Sequence, residues 1–211
     1  MKFSGLKTIA VTAAAVLATT GVASAATSGH SAAAKRADLT FNVLRSAGSV
    51  AAGCLPDARA TVSITLGDPA DTMVINAHGL PHNTGFDVFI IQVPNAPFGL
   101  SWYQGDLHSN SEGKAHAEFA GRFSQETFVV APGAAVAPVV HTSPFPDAST
   151  NPATAPVHMF HVGIWFNSAA KSAAAGCANT VTPFNGDHTA GPQALSTRQF
   201  GDKHGPLRSL S

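Results

Sequence analysis

The sequence predicts an all-β protein, a single antiparallel β-sandwich of immunoglobulin-like or jelly-roll type with one short helix and long irregular loops. Three observations predict it. Short segments of apolar/polar alternation recur along the chain, each bounded by Gly, Pro, Asn or Asp clusters. One segment, Phe86–Val93, is apolar on both faces apart from Asp87 and Gln92, as expected of a strand in the middle of a covered sheet. A helical signal is confined to one alanine-rich stretch after Asn167.

Residues 1–25 carry Lys2 and Lys7, then a small-residue apolar run (Ile9–Ala18), then Val22-Ala23-Ser24-Ala25. This is the pattern of a secretory signal peptide cleaved after Ala25. The apolar run is shorter than the roughly 20 residues that span a bilayer, which argues against an anchor. No cysteine sits just after the cut, and no second long apolar run follows it. The mature chain is therefore expected to be secreted and extracellular, with no transmembrane segment after cleavage. Residues 26–37, rich in Ala, Ser, Thr and Gly and without apolar periodicity, are expected to form a flexible arm. The β-domain is placed at 38–200, and 201–211 are expected to fray as a C-terminal tail.

Lys+Arg and Asp+Glu are equal at 12 each, so loss of Lys2 and Lys7 with the leader leaves a sparsely charged, slightly acidic protein. With no basic runs, nucleic acid and anionic membrane are poor candidates as partners, and an extracellular ligand or surface is expected instead. Cys54 and Cys177 are the only cysteines. Export makes a disulfide between them the preferred reading. Such a long closed loop is worth roughly 4–5 kcal/mol in the chain-entropy treatment.

Taken in order, Leu39, Phe41 and Val43 alternate with Thr40 and Asn42 as a first strand. In Arg59–Leu66, Val62, Ile64 and Leu66 point one way and Thr61, Ser63 and Thr65 the other, a half-buried strand. Gly67-Asp68-Pro69-Ala70 is a turn and Thr72–His78 the next strand; Gly79–Gly85 is a second turn dense in turn formers. The run Gly79-Leu80-Pro81 through Thr84 and Phe86 to Val88 resembles the "GL-P-x-x-T-x-aromatic-x-V" corner of fibronectin type III and related modules. The other landmarks of that family are missing, so the resemblance implies the sandwich architecture alone. Pro97–Leu107 together with Gly121–Gly133 resembles uncharacterised secreted proteins of actinobacteria, which implies secretion and a single compact domain but no activity.

Pattern, turn and composition agree most closely in Gly99–Phe123, which reads as a β-hairpin. Ser109-Asn110-Ser111-Glu112-Gly113 is its loop. With His108 opposite Lys114, Asp106 faces His116 and Gln104 faces Glu118, so all six polar side chains share one face. Tyr103, Leu107, Ala115, Ala117 and Phe119 are then buried, while Trp102 falls on the wet face beside Gln104. Further on, Glu126–Ala131 reads as a short strand, Pro132–Pro156 as a long irregular segment, and Val157–Phe166 as a strand. Ser168 or Asn167 is expected to cap a helix reaching Ala175 and ended by Gly176. Thr180–Phe184 and Ala194–Phe200 are weaker extended segments.

Ten histidines make metal binding a reading to weigh. Asp106, His108 and His116, with Glu118, share the hairpin face, and such a donor set suits Zn²⁺ or Cu²⁺. The same residues are also the ordinary solvent-facing positions of an antiparallel hairpin, and that plainer reading is preferred. His78-x-x-x-His82 spans Gly79-Leu80-Pro81, so it is no helical metal pair. His158 and His161 fall on opposite strand faces. There is no H-E-x-x-H, G-x-S-x-G or Gly-rich phosphate loop, so no catalytic residue is assigned. The expected function is a secreted, non-catalytic binding or structural β-sandwich protein. The candidate binding face is Trp102, Gln104, Asp106, His108, His116 and Glu118, and no cofactor is called for beyond that candidate metal. The alternatives are a histidine-based metal-binding protein or metalloenzyme, and a secreted hydrolase with a loop-assembled site.

Overall fold

The computed structural model describes residues 37–124, 128–132, 154–182 and 189–210. The expected signal peptide, nearly all of the expected arm and most of the Pro132–Pro156 segment lie outside the described residues. Among those described, no helix is long and apolar enough to cross a membrane.

The alternating segments become strands: β1 (Leu39–Arg45), β2 (Arg59–Thr65), β3 (Asp71–His78), β4 (Gly85–Ile91), β5 (Ser101–His108), β6 (Ala115–Gly121), β7 (Phe128–Pro132), β8 (Thr154–His158), β9 (His161–Phe166) and β10 (Gln193–Ser196). Eight of them form one antiparallel sheet in the order β5-β4-β9-β10-β1-β2-β3-β6, while β7 pairs with β8. Strand β1 is the corner. Its residues Leu39–Val43 pair with β2, and Leu44 and Arg45 pair with Ser196 and Leu195 of β10. The sheet is nearly closed, because its end strands β5 and β6 touch at the Ser109–Ala115 bridge.

The inner faces meet in one core. Val62 and Ile64 of β2 and Met73 and Ile75 of β3 join Phe86, Val88 and Ile90 of β4 and Val162, Ile164 and Phe166 of β9, all fully buried. Each such side chain contributes about 1.5–3 kcal/mol on burial, so this alternation decides which way every strand faces. The expectation for Phe86–Val93 holds: all seven residues of β4 are buried, and it lies between β5 and β9. Its second face carries Phe89 and Ile91, which pack with Trp165 of β9. Phe98 covers them, its ring edge-on to Trp165 at 5.0 Å.

Two short α-helices flank this sheet. The expected one, α2 (Ala169–Ala174), is capped by the Ser168 hydroxyl accepting from the Lys171 N–H. The other, α1 (Ala47–Ala51), carries no periodic signal in the sequence; Ser46 caps it by accepting the Ser49 N–H at 3.0 Å. Cys54 and Cys177 are bonded, with Cα atoms 5.3 Å apart, inside the usual range of roughly 4.4–6.8 Å. The segment after Gly201 is not frayed. Pro206–Ser209 form a 3-10 helix, and Gly205, Pro206, Leu207 and Leu210 are buried. The Leu207 N–H donates to the Phe160 carbonyl, and this apolar docking is what the polar composition of the segment conceals. The expected strand Val157–Phe166 is also interrupted, at Met159-Phe160, where the chain passes from the β7–β8 pair into the main sheet.

The central correction concerns the hairpin. The Ser109–Gly113 turn exists, with the Asn110 N–H donating to the Lys114 carbonyl at 2.8 Å, but β5 and β6 do not pair along their length. β5 pairs with β4 and β6 pairs with β3. The reason is the buried β4, whose outer edge needs a partner; each buried backbone group left unpaired there would cost about 1–3 kcal/mol. The one backbone bridge between the two arms, Ser109 opposite Ala115, is also displaced from the expected register, in which His108 faces Lys114.

Two connections that join opposite ends of the strand order are tied together here. The β3–β4 connection and the β5–β6 connection bond through Leu80 N–H to Gly113 carbonyl (3.0 Å) and Asn83 N–H to Asn110 carbonyl (3.1 Å). Buried Ser109 completes the tie: its hydroxyl accepts the Thr84 N–H at 2.9 Å and donates to the Pro81 carbonyl. Gly113 has φ +72°, and a Cβ there would stand 2.3 Å from the Leu80 oxygen. Gly113→Ala is therefore expected to destabilise the fold by about 2–4 kcal/mol, and Ser109→Ala, which orphans two buried backbone groups, by about 1–3 kcal/mol. Urea unfolding of the two variants checks both values. Loss of the disulfide by paired Cys54→Ala and Cys177→Ala substitution is expected to cost about 2–5 kcal/mol in the same measurement.

Candidate functional site

The six polar residues expected on one hairpin face are divided: Gln104, Asp106 and His108 lie on β5 beside β4, and His116 and Glu118 on β6 beside β3, with Lys114 just before it. Asp106 lies opposite Asp87 on β4, and His108 opposite Gly85. His116 lies opposite Asn76 on β3, and Glu118 opposite Val74. Asp106 and His116 are thus not cross-strand neighbours. Among the described residues, no three His, Cys, Asp or Glu side chains gather into a metal-binding group.

Trp102 and Tyr103 exchange their expected positions. Trp102 is half-buried against the core and donates from Nε1 to Gln104 Oε1 at 3.1 Å. Tyr103 is 51% exposed, its hydroxyl donating to Asp106 Oδ1 at 2.6 Å. The cause is a bulge. Val88 pairs with Gly105 but Phe89 pairs with Tyr103, so one extra residue in β5 inverts the alternation. Gly105 was the available signal, since a glycine inside a strand pattern marks a bulge or a close approach. Here it marks both: a Cβ on Gly105 would stand 2.5 Å from the Phe119 ring, which closes the seam between β5 and β6. Phe119 is accordingly half-buried at the seam, as is Ala117, whereas Leu107 is buried as expected.

What the fold does assemble is a polar face on the outside of β1, β2, β3 and β6. The register aligns Asn42, Thr61, Asn76 and His116 in one row across four strands, with Thr40, Ser63, Val74 and Glu118 in the next. Neighbours within the rows bond: Thr61 Oγ1 donates to Asn42 Oδ1 at 3.3 Å, and the Thr40 and Ser63 hydroxyls meet at 3.1 Å. A hollow of about 550 Å³ lies at the end of this face beside the tied crossings. The surface of the hollow is mostly apolar, with Ala77 and Ala115 in its floor; His78, Asn76, His116, Asn110 and Thr61 bring hydrogen-bonding groups to it, and Lys114 lines it as well.

Local bonds set the roles of these groups. His116 Nδ1 is 2.8 Å from Asn76 Oδ1, an atom that only accepts, so Nδ1 carries the proton and Nε2 is left as an acceptor. Arg59 Nε donates to His78 Nε2 at 2.7 Å, which leaves the His78 Nδ1–H as a donor. Asn110 Oδ1 accepts the backbone N–H groups of Glu112 and Lys114, leaving its NH₂ as a donor. Lys114 is paired with Glu112 at 2.8 Å. The hollow thus mixes uncharged donors and acceptors with its one lysine already neutralised. Of its members Asn110, Lys114, Ala115 and His116 belong to the hairpin pattern, and only His116 was a candidate binding residue. Thr61 reads as an outward strand position, but nothing local to the sequence says that four strands line it up with Asn42, Asn76 and His116.

A hydroxyl bonded to an imidazole, the minimal arrangement for nucleophilic hydrolysis, occurs at Thr197 and His161, 3.0 Å apart. Both side chains are fully buried. The Thr197 hydroxyl also accepts the Val162 N–H, and His161 Nε2 donates to the Asp202 carbonyl at 3.1 Å. No substrate atom has room to approach them, and the pair instead fastens the C-terminal segment to β9. No protein family, curated protein or solved structure matches the chain.

Burial pushes the His161 imidazole below its ordinary value, outweighing the hydrogen bonds to the backbone of Asp202, Gly201 and Thr197 that favour the charged form. Below about pH 6.5 the unfolded chain takes up a proton here that the folded protein resists. The stability His161 contributes is therefore complete above that pH and is lost as pH falls toward the folded value. Unfolding measured between about pH 7.5 and about pH 5.5 should show a smaller acid loss in His161→Gln than in the parent protein, although the variant is less stable at neutral pH.

Proposed function

We propose that this is a secreted, non-catalytic binding protein, a β-sandwich whose polar outer face takes a neutral, hydroxyl-rich ligand of the carbohydrate class. The observation that carries this reading is the uncharged hydrogen-bonding set around the hollow. The His116 Nε2 acceptor, the His78 Nδ1–H donor and the Asn110 amide donor surround Ala77 and Ala115. A sugar hydroxyl both donates and accepts, and the C–H face of a sugar ring suits a small apolar floor. Sparse surface charge supports a neutral ligand, and the Cys54–Cys177 bond together with the leader pattern supports an extracellular setting. The sandwich reading itself is supported by the change of partner along β1, which divides the nearly closed sheet into two facing halves over a shared core.

The test is titration of the ¹⁵N-labelled protein with a panel of neutral oligosaccharides. At least one is expected to shift the backbone signals of Asn76, Asn110 and His116 in a saturable way. Asn76→Ala and His116→Ala are expected to weaken that binding about five- to tenfold each while leaving the fold intact. A panel that leaves these signals unmoved, or an affinity that survives both substitutions, would overturn the reading.

A further inference from the structure

A separate cleft of about 600 Å³ lies where the chain leaving β4 meets the joint between β8 and β9 and the C-terminal segment. One wall is flat and aromatic: the rings of His158 and Phe160 stack at 5.5 Å, within 9° of parallel, and Val93 lies beside them. Gln92 also lines the cleft, with its Oε1 engaged by the Leu100 N–H, so its NH₂ is left to donate.

The C-terminal wall carries Lys203 and Arg208. Among the described residues Lys114 is paired with Glu112 and Arg122 with Asp71. Lys203 and Arg208, like Arg45, Arg59, Lys171 and Arg198, have no carboxylate partner there, but only these two share a cleft. Arg208 is held in place by donating from Nη1 to the Lys203 carbonyl at 2.9 Å, with His204 Nδ1 at 3.5 Å. Asp202 lines the same wall but forms no ion pair with either cation; it is its backbone carbonyl that is engaged, by His161. The wall is rigid for its position near the chain end, because buried Leu207 and Leu210 and the Phe160–Leu207 backbone bond hold it against the sheet. Two cations without acidic partners thus share a fixed cleft with an aromatic surface.

We propose that this cleft is a second binding site, for a small aromatic anion. Its carboxylate is held by Lys203 and Arg208 and its ring lies against His158 and Phe160. Arg suits the carboxylate through its planar fork of donors, and the lysine adds a point charge on the same group. The ring contributes by displacing water from the aromatic wall.

Calorimetric titration of the full chain at low ionic strength with naphthoate, naphthamide, cyclohexanecarboxylate and inorganic phosphate tests this. Naphthoate is expected to bind at one site at least about tenfold tighter than its uncharged amide, and tighter than either non-aromatic anion. Lys203→Gln, whose side chain makes no bond among the described residues, is expected to weaken naphthoate about fivefold, and Asp202→Asn to strengthen it. Arg208→Gln should weaken it further; Arg208→Lys, which keeps the charge but not the fork, should fall between the two. Equal affinity for naphthoate and naphthamide would reduce the cleft to an apolar surface and overturn the proposal. So would phosphate or cyclohexanecarboxylate binding as tightly as naphthoate, or a Lys203→Gln protein with unchanged affinity.

Discussion

The organisation of this domain depends on two chain crossings bonded side by side. The β3–β4 connection carries the chain from one end of the strand order to the other and the β5–β6 connection carries it back. Backbone bonds from Leu80 and Asn83, together with the buried Ser109 hydroxyl, join them. Because the crossings are tied, β5 and β6 leave the turn toward different partner strands. The long ladder that a hairpin would have made is replaced by ladders to β4 and β3. The Leu80–Thr84 corner, read from sequence as a turn, is half of that tie, and the candidate sugar-binding hollow lies directly beside it.

This division also explains how the polar residues are distributed. A hairpin would have gathered three potential metal ligands on one surface. The two-sided arrangement instead gives each histidine a different neighbour: Asn76 beside His116 and Arg59 beside His78, while His161 lies buried between Thr197 and the Asp202 carbonyl. In each case the partner sets which ring nitrogen carries the proton. At His116 and His78 that choice presents an acceptor and a donor to the same hollow, whereas at His161 it leaves no open position, which is why the first pair reads as a recognition surface and the last as a fastening.

The two proposed sites differ in the physics they would use. The outer face offers neutral groups with directional bonds and no large aromatic surface, so recognition there would rest on geometry. The cleft at the C-terminal segment offers charge and a flat ring surface with few fixed directional partners, so recognition there would respond to salt. Neither site is compact in the sequence. The first draws on β2, β3, β6 and the turn after β5, and the second joins the end of β4 to residues more than a hundred positions later.

The sequence by itself determined what depends on neighbours one or two residues away. Alternation placed Val62, Ile64, Met73 and Ile75 inside and Thr61 and Ser63 outside; the doubly apolar Phe86–Ile91 placed β4 between two others; Ser168 and Gly176 bounded α2; and the two cysteines had only each other to bond. Tertiary structure alone decided which strand pairs with which. The polar face of β5 matches β6 as well as it matches any partner, and the choice fell to the buried edge of β4, whose need is invisible from within β5. A single bulge at Gly105 then exchanged Trp102 and Tyr103, since side chains in a strand alternate and one added residue inverts all that follow. The row Asn42, Thr61, Asn76 and His116 arises in the same way, from three registers set independently by the core beneath them.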